Sequence, residues 1–491
     1  MPLLFRSRFQ FEMTTGSRLE KLLLGLTKRR IPSNDPPPLL VELFGRAPEA
    51  QTLHYDFYPF GYYVTAIGGS SVYGVTCPLP QTRILALRAA VAKASAALDP
   101  ASVEPLTFGR LVEVLTQLAA EHLGESFGDG TRELAELAAY DAMGLSRVLA
   151  IAKDQNVTEF FVDSDTSPVY LDHIQAGRCE STITLTERER HALETHLDTF
   201  RGYTPDYSTP SLKNDLEISG ARLRISLDLE PVSVNRFALD VRRLSVSSLS
   251  VQDLISKNVI STEASALLVA WLEVGGNITI VGETGTGKTT LLNALDEQVE
   301  PRLRRLYIED AVETKDMLAR GYHQMKVKVD PFERGGASGR TKESEIVKAL
   351  HRSPDLVVLS EIQSEEHSRA FFHALSAGAR GIQTFHASSI EQALRRWVNM
   401  HGISEDSLLD LGILVLMTRP DRLRPERYVL RICVVESEAG RPKLRELYSR
   451  DGGFRLVASQ NDAWPKPSTG SDTGLLQAKA RQTLARIASG R

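Results

Sequence analysis

The sequence predicts an α/β protein, and three observations support that fold class. A short β-branched run, Ile278–Val281, is followed by a glycine-rich turn and then by an apolar helix pattern. From residue 305 to residue 417, strand-like and helix-like segments alternate, which is typical of a largely parallel sheet covered by helices. The chain has 491 residues, enough for about two to four domains with separate cores.

The composition is that of an ordinary soluble protein and argues against several classes. The net charge of −4 gives no general reason to expect direct binding of nucleic acid. The three cysteines, Cys77, Cys179 and Cys433, include no C-x-x-C pair, so neither a zinc ribbon nor a disulfide framework is expected. No apolar run approaches the roughly 20 residues that a membrane helix needs, and no signal peptide is recognisable. We therefore expect a cytoplasmic protein.

The N-terminal arm, residues 1–37, is basic and ends in a proline-rich linker. Within it, Ser17–Leu26 has the leucine spacing of an amphipathic helix, which would suit an acidic membrane surface or a membrane-protein partner. A solvated arm that packs a few leucines is the simpler alternative. Both readings stay open at this point.

Changes in residue composition and hydrophobic pattern along the rest of the chain predict the domain boundaries. Aromatic and β-branched alternation gives way to helix formers, then to a mixed α/β pattern, a short serine-rich linker and the segment with the glycine-rich turn. The predicted parts are a small sheet with a helical region at 38–137, an α/β domain at 138–243, a linker at 244–250, a nucleotide-binding α/β domain at 251–456, and a polar tether with a C-terminal helix at 457–491.

The segment Gly282–Thr290 fits the G-x-x-x-x-G-K-[ST] phosphate loop, in its required context between a strand and a helix. Its glycines can take positive φ, so that backbone N–H groups approach phosphate oxygens, and the helix N-terminus favours the same anion. Lys288 is predicted to reach the β- and γ-phosphates, and Thr289 to hold Mg²⁺. The predicted nucleotide contacts are Gly282, Glu283, Thr284, Gly285, Thr286, Gly287, Lys288, Thr289 and Thr290. The chain is thus predicted to bind a nucleoside triphosphate.

Carboxylates follow two further predicted strands. The apolar run in Pro354–Glu361 ends in Glu361, which is predicted to polarise water or to anchor the Mg²⁺ shell. The strand at Arg305–Ile308 is followed by three acids: Glu309, Asp310 and Glu313. These acids are predicted to bind Mg²⁺ through water or to orient the nucleophile, and a solvated turn is the alternative.

A histidine follows a third predicted strand. His386 lies in the sequence Thr-Phe-His-Ala, at a strand end beside the expected position of the γ-phosphate. A lone histidine is more often structural, but this position favours phosphate sensing or charge stabilisation.

These motifs together resemble the type II/type IV secretion ATPase superfamily, and most closely its archaeal branch, which powers type IV pili and archaella. The resemblance is carried by the phosphate loop, the acidic box Tyr307–Glu313, Pro354–Glu361 and Thr384–Ala387. Upstream it includes Gly220–Arg222 and Val241–Arg243, and it covers roughly residues 140–450.

The resemblance implies a fold and a set of partners. It implies a RecA-like P-loop ATPase motor domain at 251–456, preceded by an N-terminal α/β domain of PAS-like type and an N-terminal helical region. It further implies a homohexamer that binds ATP and Mg²⁺ in the cleft between the two domains. Hydrolysis would move the domains and drive an integral-membrane platform protein, and through it pilin-like subunits, from the inner face of the membrane. Direct contact with nucleic acid is not expected.

The resemblance also assigns roles by motif position. Glu361 corresponds to the catalytic carboxylate, with a contact to the metal, and His386 to the surviving histidine of a histidine box. Arg222 and Arg242 correspond to arginines that the N-terminal domain lends to the phosphates, where guanidinium groups stabilise developing charge. Without the resemblance, the two arginines would be interpreted as surface salt-bridge partners of little energetic value.

This chain departs from the superfamily pattern at several positions. Ser360 replaces a glycine, Gln363 an arginine, and His351 and Ser353 two further arginines. The first histidine of the histidine box is replaced within Ala377–Ala379. These losses favour slow or assembly-dependent turnover, and they leave an ATP-binding scaffold with little hydrolysis as an alternative. Filament retraction and translocation of DNA or protein effectors are alternatives within the superfamily. A small GTPase is disfavoured because no guanine-reading Asn-Lys-x-Asp stretch occurs, and a kinase because no acceptor-substrate motif is visible.

Overall fold

The computed structural model divides into two compact units, Met1–Val246 and Ser247–Arg491. It describes residues 53–99, 107–124, 130–201, 211–244, 249–329, 341–451, 453–454, 464–466 and 473–489. The predicted basic arm at 1–37 and most of the predicted tether after residue 457 lie outside the described residues. Each unit is described by itself below.

The N-terminal unit is built on a nine-stranded sheet with helices. The strands are β1 (Leu53–Phe57), β2 (Phe60–Ile67), β3 (Ser70–Thr76), β4 (Val157–Val162), β5 (Tyr170–His173), β6 (Gly177–Ser181), β7 (Ser211–Ile218), β8 (Ala221–Leu229) and β9 (Phe237–Arg243). The helices are α1 (Gln81–Ala97), α2 (Phe108–Leu123), α3 (Thr131–Met143), α4 (Ser146–Lys153) and α5 (Glu187–Arg201). The strand order is β1-β2-β3-β6-β5-β4-β9-β8-β7, antiparallel except for the parallel pair β3–β6.

This sheet runs across the boundary that the sequence predicted at residue 137. A hairpin alone is marginally stable in water, and β3 gains a neighbour by pairing with β6, where Ser71 lies opposite Cys179. The Tyr55 and Tyr73 hydroxyls also donate hydrogen bonds of 2.6 Å and 2.9 Å to the buried carboxylate of Asp154. The segments 38–137 and 138–243 therefore share one sheet and one core, and the predicted separation at residue 137 is not a break in the fold.

The C-terminal unit contains a second nine-stranded sheet. Its strands are β10 (Ile278–Val281), β11 (Arg305–Glu309), β12 (Gln324–Lys328), β13 (Leu356–Ile362), β14 (Gly381–Phe385), β15 (Ile413–Thr418), β16 (Tyr428–Glu438), β17 (Arg441–Ser449) and β18 (Gly453–Phe454). Its α-helices are α6 (Val251–Ser256), α7 (Thr262–Glu273), α8 (Lys288–Gln298), α9 (Lys342–Ala349), α10 (Glu365–Ser376), α11 (Ile390–Arg395) and α12 (Thr473–Ala488). Short 3₁₀ helices lie at Leu318–Arg320, Leu350–Arg352 and Asp406–Leu411, and a π-helical turn, Arg396–Met400, continues α11.

The strand order of this sheet is β12-β11-β13-β14-β10-β15-β16-β17-β18. In this spatial order, every neighbouring pair from β12 to β15 is parallel. The pairs β15–β16, β16–β17 and β17–β18 are antiparallel. The carboxyl ends of β10, β11, β13 and β14 therefore meet at one edge of the sheet, where ligands bind in such folds. The predicted α/β fold class is confirmed: each unit has a nine-stranded sheet with helices.

Two hydrophobic clusters cover the two faces of this sheet. Because successive side chains of a strand point to opposite faces, Ile280 packs into the cluster that includes α7, and Val281 into the cluster that includes α10. Gly381 allows the central strands to approach, since a Cβ there would lie 1.8 Å from the carbonyl oxygen of Val357 in β13. Among the helices that the structure describes, none is long and apolar enough to cross a membrane.

Candidate nucleotide-binding site

The phosphate loop, Gly282–Thr290, connects β10 to α8 at the carboxyl edge of the sheet. Gly285 and Gly287 have φ angles of +76° and +92°, in the left-handed region that a Cβ makes costly. At Gly282 a Cβ would lie 2.6 Å from Thr286 Oγ1, within the loop itself. The loop therefore depends on all three glycines, and α8 begins within it at Lys288, directly after Gly287. A helix N-terminus at this position favours an anion.

Lys288 is buried in this loop. Its Nζ donates hydrogen bonds to the carbonyl oxygens of Gly282 and Glu283, at 3.0 Å and 2.9 Å, and lies 3.3 Å from Nδ1 of His386. Phosphate oxygens would compete with these carbonyl groups for the same ammonium group. The predicted lysine therefore lies where a triphosphate on the loop would meet it.

Thr289 contacts one member of the predicted acidic box. Its hydroxyl donates a hydrogen bond of 2.9 Å to Glu313 Oε2, and Asn293 Nδ2 donates one of 3.1 Å to the Glu313 carbonyl oxygen. Because the hydroxyl proton is directed at the carboxylate, the lone pairs of the threonine oxygen can face a cation.

The other two acids of the box have different surroundings. Glu309 is fully buried, and its carboxylate accepts hydrogen bonds from the backbone N–H groups of Glu313 and Thr314, both at 3.0 Å, and from the Thr314 hydroxyl at 2.7 Å. Burial raises the pKa of Glu309 despite these donors. Asp310 is paired instead with the ammonium group of Lys342, at 3.1 Å. Glu313 is thus joined directly to the phosphate loop.

Glu361 lies at the end of β13 with both carboxylate oxygens hydrogen-bonded. Oε1 is 2.5 Å from Nε2 of His386, and Oε2 accepts a hydrogen bond of 2.7 Å from Nε2 of Gln363. Burial opposes the charge, but the hydrogen bonds from His386 and Gln363 outweigh it and hold the pKa of Glu361 below its usual range. The carboxylate is therefore ionised at neutral pH.

His386 connects Glu361 to the phosphate loop. Its Nδ1 lies 3.3 Å from Nζ of Lys288, and its Nε2 lies 2.5 Å from Oε1 of Glu361. The predicted residues Lys288, His386 and Glu361 thus form one hydrogen-bonded chain from β10 across β14 to β13.

The side chains at this edge fit a magnesium–nucleotide complex better than a metal ion alone. No cluster of three or more His, Cys, Asp or Glu side chains that could hold a metal ion occurs among the described residues. The hydroxyl of Thr289 and the carboxylate of Glu313 are hard oxygen donors of the kind that Mg²⁺ prefers, and Mg²⁺ commonly takes its remaining ligands from phosphates and water. We infer that such an ion would arrive with the nucleotide.

The two predicted arginines of the N-terminal unit share one face of its sheet. Arg242 on β9 lies opposite Arg224 on β8, and Arg222 is two residues before Arg224 on the same strand. Both Arg222 and Arg242 are exposed, whereas the neighbouring Leu223 is buried. Arg224 is paired with Asp215, at 2.9 Å. The structure therefore brings the two predicted arginines together within their own unit.

Sequence reasoning missed two groups of cations at the phosphate-loop edge. Lys342 was not singled out, although a lysine at the start of a helix is electrostatically unfavourable and therefore a signal. The loop between β15 and β16 contains four arginines in nine residues, Arg419, Arg422, Arg424 and Arg427. Arg422 pairs with Glu283 of the phosphate loop at 3.0 Å, and Nη1 of Arg419 lies 3.7 Å from where a Cβ of Gly285 would be.

Comparisons with known proteins show which sequences and structures this chain is similar to. The family described as "Type II/IV secretion system protein" matches residues 210–423. Uncharacterized protein MJ0900 of Methanocaldococcus jannaschii is 33% identical over 180 residues, which are 36% of this chain and 31% of that protein. Type IV secretion system protein PtlH of Bordetella pertussis is 31% identical over 187 residues, which are 37% of this chain and 52% of that protein. This chain thus matches less than two thirds of the length of either relative.

The solved structure of the Yersinia pseudotuberculosis ATPase DotB is similar at 14% identity and a TM-score of 0.47, over 70% of this chain and 86% of that one. The family match reaches from just before β7 to the loop after β15, so it includes Arg222, the phosphate loop, Glu361 and His386. Residues 210–423, somewhat less than half of this chain, are thus similar to the type II/IV secretion system protein family.

Proposed function

We propose that this protein is an ATPase, and the observation that carries the proposal is the hydrogen-bonded chain Lys288–His386–Glu361. It connects the loop on which a triphosphate would bind to an ionised carboxylate at a neighbouring strand end. A carboxylate in that position can orient an attacking water and accept its proton. In this proposal water attacks the γ-phosphorus, the bond to the β,γ-bridging oxygen breaks, and the products are ADP and phosphate.

In this proposal, the residues of the C-terminal unit have separate roles in binding and hydrolysis. Lys288 and the backbone N–H groups of Gly282–Thr290 would bind the β- and γ-phosphates, and Glu361 would orient the water. Thr289 and Glu313 would hold Mg²⁺, which when bound neutralises negative charge on the phosphate oxygens. His386 would keep the Glu361 carboxylate directed toward the phosphate loop.

The proposal is tested by measuring phosphate release from ATP by the full chain. We expect Lys288→Ala to lower kcat/KM about 100-fold or more, because the ammonium group that stabilises phosphate charge is lost. Lys257→Ala is a control for the loss of a lysine, because Lys257 is exposed at the end of α6. Equal hydrolysis by the wild type and Lys288→Ala would contradict the proposal.

At a finer level, we propose that six copies assemble and that Arg222 and Arg242 reach the phosphates when the two units close on ATP. Two exposed arginines on one sheet face support this, since guanidinium groups stabilise charge on a γ-phosphoryl group. The closure would act on a membrane platform protein and so drive assembly of a type IV filament or secretion, with the chain at the cytoplasmic face. Mass measurement in solution with a non-hydrolysable ATP analogue tests the assembly; a monomer under all nucleotide conditions would overturn the hexamer.

A second candidate is a scaffold that binds ATP with little turnover. The observation that favours it is the Gln363 side chain, which binds Glu361 Oε2 where relatives of this superfamily commonly carry an arginine. The same assay separates the two functions when ATP binding is measured beside it. ATP binding that depends on Lys288, without phosphate release above the Lys288→Ala level, would support the scaffold.

A further inference from the structure

We propose that Lys342 is a positioning residue that holds Glu361 in place for hydrolysis, an inference that rests on the proposed ATPase function. Lys342 is the first residue of α9, and its side chain is 3% exposed. Its Nζ donates one hydrogen bond of 3.0 Å to the backbone carbonyl oxygen of Glu361 and lies 3.1 Å from Oδ1 of Asp310. One ammonium group therefore joins the ends of two adjacent strands, β11 and β13.

The need for this bond follows from a β-bulge at Glu361. The pairing of β11 with β13 ends at Ile308 and Leu359, and the pairing of β13 with β14 passes from Leu359 directly to Ile362. Ser360 and Glu361 therefore lie outside the regular ladders. A bulge re-aims side chains and leaves backbone groups to be satisfied in other ways.

Two side chains satisfy the carbonyl groups of this bulge. The Thr384 hydroxyl donates to the carbonyl oxygen of Ser360, and the Lys342 ammonium group donates to that of Glu361. Lys342 thereby fixes the backbone of the residue whose carboxylate must face the attacking water. Thr384 lies on β14, the strand that also leads to His386.

The buried position of the Lys342 ammonium group is energetically unfavourable unless this group contacts both Asp310 and the Glu361 carbonyl oxygen. A cation at a helix N-terminus faces the positive end of the helix dipole, and a buried ammonium group loses its hydration. Asp310, whose side chain is 13% exposed, compensates for the charge. Glu343 and Glu345 in the first turn of α9 also oppose the dipole effect. Asp310 therefore acts through Lys342, which distinguishes it from Glu313 at the phosphate loop.

The test compares Lys342→Met with Lys342→Arg in full-length protein. We expect Lys342→Met to lower kcat for ATP hydrolysis about 10- to 100-fold, because a small displacement of Glu361 misplaces the attacking water. The dissociation constant of ATP should stay within about twofold, since Lys288 and the phosphate loop are unchanged. Lys342→Arg keeps a donor and a positive charge, so it should recover most of kcat.

Lys348→Met is the matched control, because Lys348 lies on the same helix and pairs with Glu345 at 2.9 Å, but its side chain is 51% exposed. It should leave kcat unchanged. If Lys342→Met unfolds at the assay temperature, the double variant Lys342→Met with Asp310→Asn removes both buried charges and should still show low kcat with normal ATP binding.

Each outcome distinguishes the inference from the proposed function on which it rests. Wild-type kcat in folded Lys342→Met or in the double variant, with Glu361→Gln inactive in the same assay, would overturn the role of Lys342 alone. Parallel losses of ATP affinity and kcat in Lys342→Met would also overturn it, in favour of a structural role. Wild-type hydrolysis no greater than that of Glu361→Gln would overturn the ATPase function and this role together.

Discussion

Glu361→Gln should reduce ATP hydrolysis by about 10²- to 10⁴-fold while ATP binding is retained. The amide cannot accept a proton from water, but it has nearly the same shape as the carboxylate and keeps an oxygen for the 2.5 Å contact with His386. The phosphate loop and Lys288 are unaffected, so the dissociation constant of ATP should change little. Single-turnover phosphate release and a binding titration measure the two quantities separately.

The matched control is Glu365→Gln, at the first position of α10 in the same unit, where Glu365 is paired with Arg369 on the exposed face of the helix. It should hydrolyse ATP at the wild-type rate. The lowered pKa of Glu361 adds a pH expectation. The base is active above its folded-state pKa, so protonation of Glu361 should lower wild-type kcat only at a pH below the usual range of a glutamate. Unchanged hydrolysis in Glu361→Gln would remove Glu361 from the reaction.

Arg305→Met should lower the free energy of unfolding of the C-terminal unit by about 3–5 kcal/mol, the usual effect of removing one partner of a buried ion pair. The Arg305 side chain is 0% exposed and lies 2.9 Å from Asp296 Oδ1. Its guanidinium group also donates to the carbonyl oxygens of Val299 and Leu303, both at 2.8 Å. Methionine would leave these acceptors and a buried carboxylate with fewer donors, although the Tyr307 hydroxyl still contacts Asp296.

Tryptophan fluorescence in a urea titration measures this effect in one unit, because all three tryptophans, Trp271, Trp397 and Trp464, belong to the C-terminal unit. Arg302→Met is the control: Arg302 is paired with Glu300 at 3.0 Å, but its side chain is 89% exposed. Exposed pairs contribute about 0–1 kcal/mol, so its urea midpoint should stay close to that of the wild type. Equal shifts of the urea midpoint in Arg305→Met and Arg302→Met would contradict the expectation that the buried pair contributes more to stability than the exposed one.

The phosphate loop could be predicted from the sequence because its groups are contiguous. A strand, three glycines, Lys288 and Thr289 follow one another in the twelve residues from Ile278 to Thr289, and their local conformations decide the shape of the loop. Glu361 and His386 were predictable as strand-end residues, since parallel strands bring their carboxyl ends to one edge. The sequence did not separate the roles of Glu309, Asp310 and Glu313, because neighbouring residues in a turn point toward different partners.

The predicted boundary at residue 137 does not coincide with a boundary of the sheet, because strand pairing also joins distant segments. The sequence pattern changes there from helical to mixed α/β. Strand pairing does not follow this change, because β3 and β6 are about a hundred residues apart and lie side by side. Pairing partners of a strand are decided by which apolar faces can be buried together, and local composition does not encode that choice.

The glycine-rich loop and the strand–helix alternation are properties of short segments, so the sequence is enough to predict an α/β domain with a phosphate loop. The tertiary structure alone decided that Lys288, His386 and Glu361 form one chain, that Glu313 joins Thr289, and that Lys342 supports the bulge at Glu361. The physical reason is that a buried polar group must be matched by whichever neighbour the packing brings within hydrogen-bond distance, and here those neighbours come from strands and helices far apart in the chain.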